Sequence, residues 1–89
     1  MTDNAPLTTL NDITDYLVCQ IAKLRKRDPS TIDPSRPFSD LGIDSLAAVT
    51  LIGDLEERLG IRMDPAELFD YPTPNDLCRM LVGRVSPHA

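Results

Sequence analysis

The sequence predicts an all-α fold: a four-helix bundle of three main helices plus one short helix, with a long loop between helices 1 and 2. Three observations lead there. Glycine is scarce, at four residues in 89, and leucine is frequent, which favours helix over sheet. Apolar residues recur at helical spacing in the long segments. Capping residues stand where those segments begin.

The first helix starts near Thr8 or Thr9, either of which can cap it, after a loose tail over residues 1–7. Leu10, Ile13, Tyr16, Leu17, Ile21 and Leu24 give it one buried stripe. It ends among Lys23, Arg25, Lys26 and Arg27, cations that suit the negative end of a helix dipole. A solvated helix end is the plain reading of this cluster, and a docking role is the alternative. Asp28-Pro29 stops the helix, because the residue before proline is pushed out of the helical region. The connection from Asp28 to Ile43 is long for so small a domain. Ile32, Phe38, Leu41 and Ile43 are spaced to pin it down, and Pro29, Pro34 and Pro37 reduce the entropy it loses on folding. Gly42 supplies a backbone angle that other residues resist.

The second helix runs from Asp44 or Ser45 to Leu59, with Gly60 past its end as a left-handed cap. At about 100° per residue, Ala48, Leu51, Ile52, Leu55 and Leu59 share the core face. Leu46, Val49 and Gly53 fall on the opposite face, beside Thr50 and Glu57, and Asp54, Glu56 and Glu57 form a negative rim. The short third helix opens at Asp64-Pro65-Ala66-Glu67, with a capping acid, a proline and a returning glutamate. Leu68 and Phe69 are expected to pack inward. Asp70-Tyr71-Pro72 ends it, and Thr73-Pro74 starts the last helix, whose stripe is Leu77, Met80 and Leu81. Gly83 is the expected stop, which makes residues 8–83 the domain and 84–89 a frayed tail.

Composition narrows the function. A 42% hydrophobic content supports one small core, mostly aliphatic, with no Trp, two Phe and two Tyr. The formal charge of −5 argues against nucleic acid and suits partners with basic surfaces. Cys19 and Cys78 lie far apart in apolar helical patterns, without metal spacing, and read as buried free thiols in a reducing, cytoplasmic setting. No apolar run is long enough to cross a membrane, and no signal peptide is visible. The expectation is a soluble monomer with neither nucleic acid nor membrane as partner.

Ser45 stands at the junction of loop and helix. As a hydrolase nucleophile it lacks a base: the only histidine, His88, is next to last, and no nucleophile-elbow glycine follows the serine. No catalytic residue and no metal site are assigned. Two readings stay open. Serine at a helix start is commonly a cap. Asp44 can cap instead, which leaves the hydroxyl free to accept a phosphate-linked group at a helix N-terminus. The second reading also accounts for the outward Leu46 and Val49 and for the long loop.

Phe38-Ser39-Asp40-Leu41-Gly42-Ile43-Asp44-Ser45-Leu46 resembles the phosphopantetheine attachment motif of acyl carrier proteins. Leu55-Glu56-Glu57-Arg58-Leu59-Gly60 is similar to the end of that family's second helix, and Phe69-Asp70-Tyr71-Pro72-Thr73-Pro74 to the approach to its last helix. The likeness covers roughly Ile13 to Leu81 and is closest to the carrier domains of modular polyketide synthases. Its Asp-Ser-Leu core differs from the Gly-Gly-His-Ser or Gly-Gly-Asp-Ser usual in peptidyl carriers. Fatty-acid carriers share that core, but their second helices are typically more acidic, and Gly53 stands where they often have a larger apolar residue.

The resemblance implies a chain that does no chemistry itself. A phosphopantetheinyl transferase would place 4'-phosphopantetheine from coenzyme A on Ser45, and the terminal thiol would carry acyl intermediates as thioesters. Asp44 would help position magnesium and coenzyme A in the transferase. Leu46 and Val49, with Glu56 and Glu57 at the rim, would dock partners: acyltransferase, ketosynthase, ligase, reductase or thioesterase, in polyketide or fatty-acid biosynthesis. The alternatives are an aminoacyl or peptidyl carrier of a hybrid pathway, and an unmodified helical interaction module.

Overall fold

The computed structural model describes residues 9–85. Their order is α1 (Leu10–Arg25), a 3-10 turn (Pro29–Thr31), α2 (Ser45–Leu59), α3 (Glu67–Asp70) and α4 (Pro74–Val85). No strand occurs among the described residues, and none of their helices is long and apolar enough to cross a membrane. The expected first residues of the tail, and Thr8 as a cap, lie outside the described residues.

Thr9 caps α1: its hydroxyl oxygen accepts from the Asp12 N–H at 3.1 Å. Ile13, Leu17 and Ile21 recur every four residues and are fully buried. They meet Leu51, Ile52 and Leu55 of α2 and Leu77, Cys78 and Leu81 of α4 in one core, with α1 packed against both helices. Each of these aliphatic side chains contributes roughly 1.5–3 kcal/mol by leaving water. Leu10, assigned to the stripe, is instead 42% exposed at the first position of α1.

The loop from α1 to α2 is ordered by the four anchors its sequence suggests: Ile32, Phe38, Leu41 and Ile43 are all buried. The 3-10 turn inside it was not foreseen. Asp28 caps that turn, accepting from the Ser30 N–H at 2.9 Å. Two backbone hydrogen bonds tie the loop to the segment around α3 and α4: the Phe38 N–H donates to the Pro72 carbonyl at 2.8 Å, and the Asn75 N–H to the Pro34 carbonyl at 2.9 Å.

Three expectations fail here. Phe69, expected to pack inward, is 84% exposed, because α3 is a single turn and Leu68 alone reaches the core. Cys19, expected to be buried, is exposed, two residues from Leu17 and so on the far side of α1. Gly83 does not stop α4, which continues to Val85. Arg84, in that two-residue extension, donates to the Arg62 carbonyl at 3.2 Å and lies 3.0 Å from Glu67 Oε1.

Candidate functional site

The junction of the loop with α2 is built by backbone geometry. The Leu41 and Ile43 N–H groups donate to the Phe38 carbonyl at 3.0 Å each. Gly42 sits between them at φ 81, in the left-handed region. The Arg25 guanidinium lies against it, so a Cβ there would come within 2.6 Å of Nε. The angle demands glycine, and a larger residue would also have to push the flexible end of Arg25 aside.

Asp44 follows as the cap of α2. Its carboxylate accepts from the Ala47 N–H at 2.9 Å. Ser45 is the first helical residue and is exposed. Its hydroxyl makes no hydrogen bond among the described residues. Ser45 therefore serves neither structural role open to a serine at this place: Asp44 is the cap, and the side chain is outside the core. What remains is an accessible hydroxyl one residue inside the positive end of a helix, where a bound anion is favoured.

Leu46 and Val49 stand beside it, 77% and 55% exposed. A groove of about 600 Å³ opens next to Ser45, walled mainly by Phe38, Ile43, Val49, Leu68 and Phe69. The walls are largely apolar, so the groove can hold an extended aliphatic segment that begins at Ser45. Phe69 adds its exposed ring to this surface. Sequence reasoning missed it, since a single helical turn gives no period from which to tell its faces.

The expected rim divides. Glu57 is exposed. Glu56 is half-buried, and its Oε2 accepts from the Met63 N–H at 2.8 Å, which pins the link from α2 to α3. Asp54 turns to α1, taking a hydrogen bond from Gln20 Nε2 at 3.0 Å. The structure thus brings Asp44, Ser45, Leu46 and Val49 together and leaves Glu57 alone as a free rim carboxylate of that set. Among the described residues no group of His, Cys, Asp and Glu could hold a metal ion. The buried Cys78 thiol is not a reactive group: burial raises it to about 11, against a weaker opposite effect of its hydrogen bond with Thr14.

The fold and this exposed helix start define a class, the small helical carrier proteins. The backbone overlays a free-standing peptidyl carrier protein of Acinetobacter baumannii with a TM-score of 0.84, at 33% identity, covering 89% of this chain and 99% of that one. It overlays an acyl carrier protein of Anabaena with a variant phosphopantetheinylation-site sequence equally well, at 29% identity, covering 96% and 97%. Residues 15–81 match the family described as phosphopantetheine attachment site, and the chain belongs to that family. Its members carry 4'-phosphopantetheine covalently. Relatives by sequence are carrier regions of polyketide synthases. A phenolphthiocerol synthesis polyketide synthase of Mycobacterium marinum is 42% identical over 73 residues, 80% of this chain. The chain spans 3% of that relative's length.

Proposed function

We propose that the chain is an acyl carrier of polyketide assembly and that Ser45 is its attachment residue. The observation that carries this is the free, exposed Ser45 hydroxyl beside a cap already supplied by Asp44. When the arm is bound, its terminal thiol holds the acyl group as a thioester. The chain's own part is to present the hydroxyl, to stabilise the phosphodiester at the helix N-terminus, and to offer a surface that partners grip. In loading, Ser45 Oγ bonds to phosphorus as the bond to adenosine 3',5'-bisphosphate breaks. The hydroxyl proton leaves to a base of the transferase, while one oxygen of the Asp44 carboxylate stays on the Ala47 N–H.

Leu46, Val49 and Phe69 form the apolar grip, with Glu57 at the rim. Asp44 keeps the role suggested for it toward magnesium and coenzyme A only through an oxygen the cap leaves free. Glu56 stays in the proposed rim through the oxygen that the Met63 N–H leaves free. A shuttle that visits several enzymes should bind each weakly and leave quickly, which a patch this small provides. Working partners are a phosphopantetheinyl transferase and then acyltransferase, ketosynthase, ligase or thioesterase domains. The chain acts as their substrate, in the cytoplasm, as a monomer.

The test is intact mass after incubation with coenzyme A and a promiscuous phosphopantetheinyl transferase. Wild type should gain one phosphopantetheine, and Ser45→Ala none. No gain by wild type with several transferases overturns the proposal. The likeness to a peptidyl carrier protein favours one second reading, an aminoacyl or peptidyl cargo. Loading by adenylating enzymes in place of acyltransferases would select it.

A further inference from the structure

Four of the chain's nine Lys and Arg residues fall within five positions at the end of α1: Lys23, Arg25, Lys26 and Arg27. All four are exposed, on a chain of net charge −5. Cations elsewhere are mostly occupied. Arg36 pairs with Asp40, Arg79 with Asp76 and Arg84 with Glu67, while Arg58 lies over the Tyr16 ring. No acidic side chain among the described residues pairs with the four at α1. Asp28, next in sequence, turns its carboxylate onto the Ser30 N–H and hydroxyl.

Ending the helix does not require this much charge. The Lys26 N–H donates to the Ala22 and Lys23 carbonyls, and the Arg27 N–H to Ala22 at 2.9 Å, so the backbone itself satisfies two of the last four carbonyls in a left-handed cap. The helix dipole amounts to about half a charge. Lys26 is also held at φ 55 and ψ 49, where glycine is the usual residue and a lysine is strained. The contact of Arg25 with Gly42 joins this corner to the loop that leads into Ser45. The corner and the attachment residue therefore share one end of the bundle.

We propose that this basic corner is a second docking surface, fitted to an acidic patch on a catalytic domain that serves the carrier. The proposal rests on the carrier reading above. Charge complementarity selects the partner. Among the described residues the exposed large apolar side chains are Leu10, Leu46, Val49 and Phe69, none of them in the corner, so the corner offers charge without an apolar anchor for a bilayer. A long polyanion such as nucleic acid would meet repulsion from the rest of this acidic chain. An acidic protein patch meets only the corner, and such a contact speeds encounter without delaying release.

The test takes the full chain in its phosphopantetheine-bearing form and the catalytic domains encoded with it. A Lys23→Glu, Arg27→Glu variant leaves Arg25 on Gly42. It should raise KM about tenfold for at least one domain with kcat unchanged, and the difference should shrink from about 50 to about 500 mM salt. Unchanged KM for every domain overturns the proposal, as does a fall in kcat alone. Lys26→Gly separates docking from folding: it should melt at or above the wild-type temperature and still raise KM. A lower melting temperature with unchanged KM overturns the assignment of Lys26. Binding of phosphatidylglycerol vesicles or single-stranded DNA that the double variant loses, with no change in KM, assigns the corner to another partner and overturns it too. Failure of the carrier reading appears earlier and separately, as a wild-type chain that gains no phosphopantetheine.

Discussion

The two faces of α2 hold the same kind of side chain in opposite circumstances. Leu55 on the inner face is fully buried, with Leu51 and Ile52 beside it. Leu46, nine positions earlier in the same helix, keeps most of its surface in water. The inner leucine holds the domain together. The outer one adds nothing to the core and exposes a hydrophobic patch beside the serine, the surface proposed above for transient partners. A helix can thus divide its sequence between stability and recognition, and single substitutions should separate the two.

Leu55→Asp has the largest expected effect. Burying an unpaired carboxylate costs several kcal/mol, comparable with the whole stability of a domain this size. Circular dichroism should show no cooperative melt near the wild-type temperature. A melt within a few degrees of wild type would erase the distinction between the faces.

The second prediction uses the core that the inner face packs on. The Cys78 thiol is raised to about 11 by burial, against an ordinary 9.0. The folded state therefore holds its proton more tightly than the unfolded state does. Stability should be complete below about pH 9 and decline as pH approaches 11, by up to about 2–3 kcal/mol. Tyr16, raised chiefly by burial and then by Asp54, pushes in the same direction at the top of that window. Urea denaturation at successive pH values checks this, and Cys78→Ala should flatten the slope. An unchanged slope would place the effect elsewhere.

Asp44→Ala comes third. Losing the cap should cost about 1 kcal/mol, or roughly 4–8 °C in melting temperature, by calorimetry. The smallest stability effect belongs to Leu46→Asp, within about 0.5 kcal/mol, although transfer of the acyl group to partner enzymes should fall sharply. If this variant melts as badly as Leu55→Asp, the outer face is misassigned.

The helical period made most of this visible. Leu46, Val49 and Leu55 sort correctly on a wheel because fifteen residues of α2 give about four turns to average over. Asp44 and Gly60 were legible because caps and left-handed ends have few chemical solutions. Phe69 was not, since one turn has no period. Cys19 was legible but overruled: its place opposite Leu17 signals exposure, while the general habit of cysteine signals burial, and the position won. Glu56 depended on where the chain goes after α2. Nothing local to it says that the Met63 N–H will return to its carboxylate. The 3-10 turn at Pro29–Thr31 depended in the same way on geometry, although Asp28 was in view as a stop.

The hydrogen bonds from Phe38 to Pro72 and from Asn75 to Pro34 have a kinetic meaning. They join segments more than thirty residues apart, and the loop they hold is also pinned by its buried anchors, so they are expected to open together with the bundle. The amide protons of Phe38 and Asn75 should exchange with deuterated water about as slowly as those of the central helices, although Phe38 lies in an irregular loop. A stretch of chain without regular structure would then keep time with global unfolding, and Ser45 would be presented from a platform that does not loosen before the whole domain does.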